Sequence, residues 1–313
     1  MKADYNSVIY AFESNNTEIL SIMADEFDVA LEADANTPDE VNAEKAVSDT
    51  VKSDDEKAVN KTLLINKIVE RVKALIRKIG EIFQSLSRKL TNRLRLLGQT
   101  DKGFSKLYYK RKSMIKPYKS VQVISYAYVN QVLDRPMEKI IQETLMCLDK
   151  LRAVEGTTNS NSRVSEIINA PQGKIIEVLL EPYVDSQSKG NVATVKDFIR
   201  YMVEKYRGDK KEIIYHDTQI PQIESNALST KALATWCNKY IISAKEAYTK
   251  LKTLEYQVSR NSTDEKVVKL VTSNAGKAAT LYNGLSALIH AYYELKLEQS
   301  LNYRIILRKF YQF

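Results

Sequence analysis

Chain breakers are scarce in this sequence: 9 Gly and 6 Pro in 313 residues. That scarcity argues against a turn-rich all-β fold and for long helices. Histidine is nearly missing. His216 and His290 stand alone, outside any HExxH, HxH or Cys/His cluster. The two cysteines, Cys147 and Cys237, lie in apolar stretches outside any CxxC pattern and read as buried reduced thiols, not a disulfide framework. No apolar run reaches the roughly 18 residues of a membrane-spanning helix. The first residues lack the basic start of a signal peptide and hold Asp4, Glu13 and Glu18 instead. P-loop, GxGxxG, GxSxG and DxDxDG patterns are missing as well. No catalytic residue, metal ligand or cofactor site is expected, and the chain reads as non-enzymatic. His216 beside Asp217 is a weak basis for catalysis, and His290, within LIHAYYELKL, reads as a packed or surface residue of a helix.

What is present is a division of charge. The net charge of +8 conceals it. Residues 1–59 hold fifteen carboxylates against four lysines, a net −11, which leaves +19 on the remainder. Such a split suggests a basic body meant for a polyanion and an acidic segment that masks or regulates it. Within the acidic part, residues 1–32 carry enough apolar side chains (Val8, Ile9, Phe12, Ile19, Leu20, Phe27, Leu31) for a short amphipathic helix. That helix reads either as a surface element docked on the body or as a removable propeptide. Residues 33–58 have no large aromatic and read as a disordered acidic linker.

The clearest periodicity follows. Ile65, Val72, Ile79 and Leu86 recur every seven residues, with Ile68, Leu75, Ile76, Ile82, Phe83, Leu90 and Leu97 between them. The pattern predicts a basic amphipathic helix over 59–101, with one apolar stripe and Gly80 as a candidate kink. Lys67, Arg71, Arg77, Lys78, Arg88, Lys89, Arg93 and Arg95 crowd its other faces, and Lys110, Arg111 and Lys112 continue the run among Tyr108, Tyr109 and Tyr118. These residues are the candidate polyanion-binding set. Three readings stand side by side: a helix packed on the body with a solvated basic face, a partner-docking helix, and a helix lying on DNA or an anionic membrane. The stripe and the basic face belong to different sides, so these readings are compatible.

Beyond it, residues 102–227 read as an α+β region. SVQVISYAYV (120–129) alternates as a strand, and KKEIIYHD (210–217) is a short strand suited to pair with it. A helix is expected from Pro136 to residue 154, and another over TVKDFIRYMVEKYRG with Thr194 as N-cap. Residues 228–313 read as a long helical hairpin: one helix from Ser229 or Thr230 to about Ser259, the link RNSTD, then a second from Ser262 or Thr263 toward Phe313. The fold class is therefore mainly α with a small β element.

The order of these parts is an acidic helix, an acidic linker, KIVERVKALIRKIGEIFQSLSRKL, then FSKLYYKRKSMIKPYKSVQVISYAYV, and a hairpin closing on NYRIILRKF. In this layout the chain resembles the internal virion proteins of large tailed bacteriophages, which are packaged in the head with the genome. The resemblance implies a non-enzymatic head or core component without cofactors, located in the virion interior and in the host cytoplasm during assembly. It implies contacts with DNA, which would be electrostatic and non-specific, and with other virion proteins. It also implies trimming by a prohead protease that cuts after glutamate. Ala11-Phe12-Glu13, Ala24-Asp25-Glu26 and Ala30-Leu31-Glu32 fit that specificity, making Glu13, Glu26 and Glu32 the candidate cleavage positions. Two alternatives share the same residues: a non-specific nucleic-acid-binding protein of the infected cell, and a membrane-active ejection component using helix 60–97.

Overall fold

The computed structural model describes residues 54–152, 161–261 and 264–313. The chain divides into two compact units, Met1–Leu64 and Ile65–Phe313. The expectations for 1–53, including Glu13, Glu26 and Glu32, lie outside the described residues.

Helix α1 (Asp54–Met114) is one helix of 61 residues. It takes in residues 54–58, which the sequence had assigned to the linker, and passes the expected end at 101 by about three and a half turns. The reason is that the apolar seam continues. Val72, Ile76, Ile79, Leu86, Leu90, Leu97, Phe104 and Tyr108 are all buried, spaced by three, four or seven residues. Gly80 does not interrupt the helix. It permits a close approach instead, since a Cβ there would lie 2.7 Å from Tyr248 Oη. Pro117, which restricts the residue before it, follows the end of the helix.

Strands β1 (Ser120–Tyr126) and β2 (Lys210–His216) form a two-stranded antiparallel sheet with Ser120 opposite His216 and Val123 opposite Ile213. Alternation turns Val121, Val123 and Ser125 inward and leaves Ser120, Gln122 and Ile124 exposed. The pairing is the one the two sequence patterns suggested, with β1 three residues shorter.

Between the strands lie α2 (Asn130–Leu151), α3 (Ser162–Asn169), α4 (Ile175–Leu180) and α5 (Val195–Arg207). Helix α2 begins six residues before Pro136, which sits inside it and not at its start. Helix α5 has the expected cap: Thr194 Oγ1 accepts from the Asp197 N–H, Asp197 accepts from the Thr194 N–H, and Gly208 closes the helix at φ 63°. After β2 come α6 (Ile220–Ala227), α7 (Thr230–Leu251), α8 (Thr253–Arg260) and α9 (Glu265–Tyr311). The first arm of the expected hairpin is thus two helices, interrupted at Lys252. Asp264, accepting from the N–H groups of Lys266 and Val267, caps the second arm. Ser262 and Thr263 lie outside the described residues.

Helix α9, 47 residues long, is the axis of the body. From Leu281 to Leu295 every residue but Asn283 is buried, so the helix is enclosed around its whole circumference. It contacts α2, α4, α5, α6, α7, α8 and β1. The sequence treated it as one arm of a helical hairpin; it is the core of the fold. Near its C-terminal end Ile306, Leu307, Phe310 and Tyr311 join Phe104 and Tyr108 of α1, Val121, Val123 and Tyr215 of the sheet, and Ile220, Ile223 and Ala227 of α6 in one cluster.

Candidate polyanion-binding face

Packing decides which side of α1 meets solvent. The helix lies along α9 in the same direction, as the pairs Arg93 with Glu294, Asp101 with Arg304 and Tyr108 with Tyr311 show. It runs opposite to α7, with Phe83 stacked on Tyr248 and Asp101 accepting from Thr230. The seam is consumed by these contacts. The side opposite it carries Arg77, Arg88, Arg95, Lys102 and Lys106, all exposed. Arg88, Arg95 and Lys102 recur every seven residues and so form a line parallel to the seam.

Of the sequence-predicted residues, Lys67, Arg71, Arg77, Arg88, Lys89, Arg95, Lys110, Arg111 and Lys112 are exposed and Lys78 is half-buried. From Lys67 to Arg111 they extend over about 66 Å of helix, at about 1.5 Å per residue. Arg93 and Lys112 are drawn away from the face. Arg93 turns to the body, its Nε 3.5 Å from Glu294 Oε1, with a side chain 24% exposed. Lys112 donates to Glu224 Oε2 at 2.6 Å. Between Ile82 and Lys119 stand eleven basic residues and one carboxylate, Asp101. That carboxylate faces inward, accepting from Arg304 and from Thr230 Oγ1. The part of this run on α1, up to Met114, therefore presents positive charge with its one acidic side chain turned inward. The half before it differs: Glu70 and Glu81 are exposed, and Glu70 pairs with Lys73 at 2.8 Å.

The polar groups that hold the face in place are on α9. Arg304 is buried, donates from Nε to the Ala227 carbonyl at 3.0 Å, and pairs with Asp101. One helical turn apart, His290 and Glu294 are both buried, with His290 Nε2 3.9 Å from Glu294 Oε1. Burial, together with Lys89 and Arg93, holds the His290 imidazole down at about 4. Burial raises the Glu294 carboxyl, an effect that Arg93 opposes. Glu298 follows on the next turn, also raised by burial. It accepts from Tyr128 Oη at 3.1 Å and lies 3.4 Å from Arg207 Nη2. The Tyr128 ring in turn contacts Tyr206 and Tyr303. Glu294 and Glu298 are thus carboxylates enclosed within the body and not solvated at its surface. The available signal was the LYNGLSALIHAYYELKLEQS stretch, apolar on every face, so that any charge within it is enclosed.

The remaining candidates fall apart chemically. His216 is exposed at the end of β2, its N–H donating to Gln219 Oε1 at 2.8 Å. Cys147 and Cys237 are both buried and their thiols are pushed up to about 12 by that burial. Among the described residues no group of three His, Cys, Asp or Glu side chains is arranged to hold a metal ion, and no helix is long and apolar enough to cross a membrane. Comparison with protein-family models, with curated proteins and with solved structures returned no match to this chain.

Proposed function

We propose that this chain is a non-enzymatic structural protein that lies against nucleic acid and neutralises phosphates through the outer face of α1. The observation that carries the reading is the run from Ile82 to Lys119, where eleven basic residues, nine of them on α1, stand with a single carboxylate that is bound inward. Such a face has no means of reading bases. Its affinity comes from releasing the counterions condensed on the polyanion, and is insensitive to sequence. The layout that resembles phage internal head proteins supports placing it inside a virion, packaged with the genome among other virion proteins. Under this reading a prohead protease trims the acidic segment after Glu13, Glu26 or Glu32, and loss of that negative charge makes the remainder more strongly cationic.

The test is duplex DNA binding over a salt series. A face using about six of its cations gives a log–log slope near −5. Arg88→Glu/Arg95→Glu/Lys102→Glu flattens that slope by about three or more and leaves the fold intact, because all three side chains are exposed. A shallow slope in the parent protein, or an unchanged one in the variant, overturns the assignment. Mass spectrometry of purified particles tests the virion placement and the cleavage together.

A further inference from the structure

On the flank of α1, between the buried seam and the basic face, Leu96, Leu107 and Met114 are 49%, 49% and 67% exposed. Spacings of eleven and seven residues set all three on one line along the helix, about 27 Å long. Gly103 falls on the same line, seven residues past Leu96, and a Cβ there would meet nothing within 4 Å. The line therefore has three apolar anchors and a gap over which a backbone can come close. Lys89, Lys110 and Arg111, all exposed, sit on or beside it.

We propose that this line is a docking site for an acidic amphipathic helix of a partner protein. Charge selects the occupant. A second copy of the chain would bring the same cationic surface into contact with itself, which like-charge repulsion disfavours. Nucleic acid would use the cations and leave the aliphatic side chains in water. A bilayer surface prefers a broad apolar face with aromatic anchors, whereas this line is one side chain wide and carries none. A helix with apolar residues at matching spacing and Asp or Glu beside them covers the anchors and pairs the cations at once. This is the geometry by which amphipathic helices seat on helical surfaces. The apolar anchors lie on a different side of α1 from the line of Arg88, Arg95 and Lys102, whereas Lys89, Lys110 and Arg111 are shared with the nucleic-acid reading.

The experiment uses the full chain and a fluorescent synthetic helix of about three heptads, with Leu at i, i+11 and i+18 and Glu on its flanks. Binding is followed by fluorescence anisotropy. Leu96→Ser/Leu107→Ser/Met114→Ser is expected to weaken capture of the peptide about tenfold or more, with circular dichroism and duplex DNA affinity unchanged. Lys110→Glu/Arg111→Glu is expected to weaken it as well. The proposal is overturned if the parent protein ignores the peptide or binds a leucine-free version equally well. It is also overturned if the triple serine variant keeps full affinity, or if that variant loses binding only to phosphatidylglycerol vesicles.

Discussion

Helices α1 and α9 are the two longest elements, 61 and 47 residues, and they lie side by side in the same direction. Their sequences meet solvent in opposite ways. In α1 a narrow seam is buried, and from Ile82 onward lysine and arginine line the side opposite it. In α9 the central stretch has no outer side, and its few charges are enclosed and matched one by one. Length and helicity therefore say little about role. The distribution of apolar side chains around the circumference decides whether a helix is a surface or an axis.

That contrast can be broken most sharply where the two helices meet. Asp101→Ala leaves the Arg304 guanidinium buried without its carboxylate. It is expected to cost about 3–5 kcal/mol in denaturant unfolding, whereas Asp101→Leu combined with Arg304→Met should recover most of the loss. A variant as stable as the parent would mean the ion pair is incidental to the packing.

Next in size is a cavity in the axis. Leu288→Ala, at a site with 0% exposure, should destabilise by about 2–5 kcal/mol. Leu96→Ala on α1, half in water already, should cost about 0.5 kcal/mol or less. Equal effects in thermal melts would erase the distinction between axis and surface.

The third effect is one of pH. His290 is faced by Lys89 and Arg93 from α1 and by Glu294 on its own helix. Its folded value near 4 lies below the ordinary 6.5. The unfolded chain therefore takes up this proton first, and stability declines as pH falls from about 6.5 to about 4. The magnitude is on the order of 3 kcal/mol. Glu294 and Glu298 act in the other direction, since their raised values favour the folded state when protonated. The comparison is consequently with His290→Gln at each pH: the gap between the two proteins should close on acidification, and a constant gap would sink the assignment. The smallest expected effect is Arg95→Ala, which should shift stability by no more than about 0.5 kcal/mol while reducing DNA affinity.

The seam of α1 was plain in the sequence because one face of a helix was apolar over many turns. Its last turns were missed for a related reason. Between 102 and 114 the Lys and Tyr density reads as a surface run, yet Phe104 and Tyr108 keep the seam's spacing. The two strands were visible from their alternation, and the α5 cap from Thr194 and Gly208. The C-terminal helix was recognised as a helix, but its enclosure was not, since periodicity has little to report when every face is apolar. The inward turn of Arg93 and Asp101 could not be read at all. Each looks like one more charge on a charged helix, and its partner lies far along the chain.

The distance between those partners bears on how the molecule is made. Asp101 and Arg304 are 203 residues apart. At common rates of synthesis, about 5–20 residues per second, α1 leaves the ribosome roughly 10–40 s before the helix that covers its seam. Through that interval a long, sticky, cationic helix waits beside the ribosome's own RNA with its final partner still unmade. Whatever shields it then, whether a chaperone or another part of the nascent chain, acts before any packed native state exists.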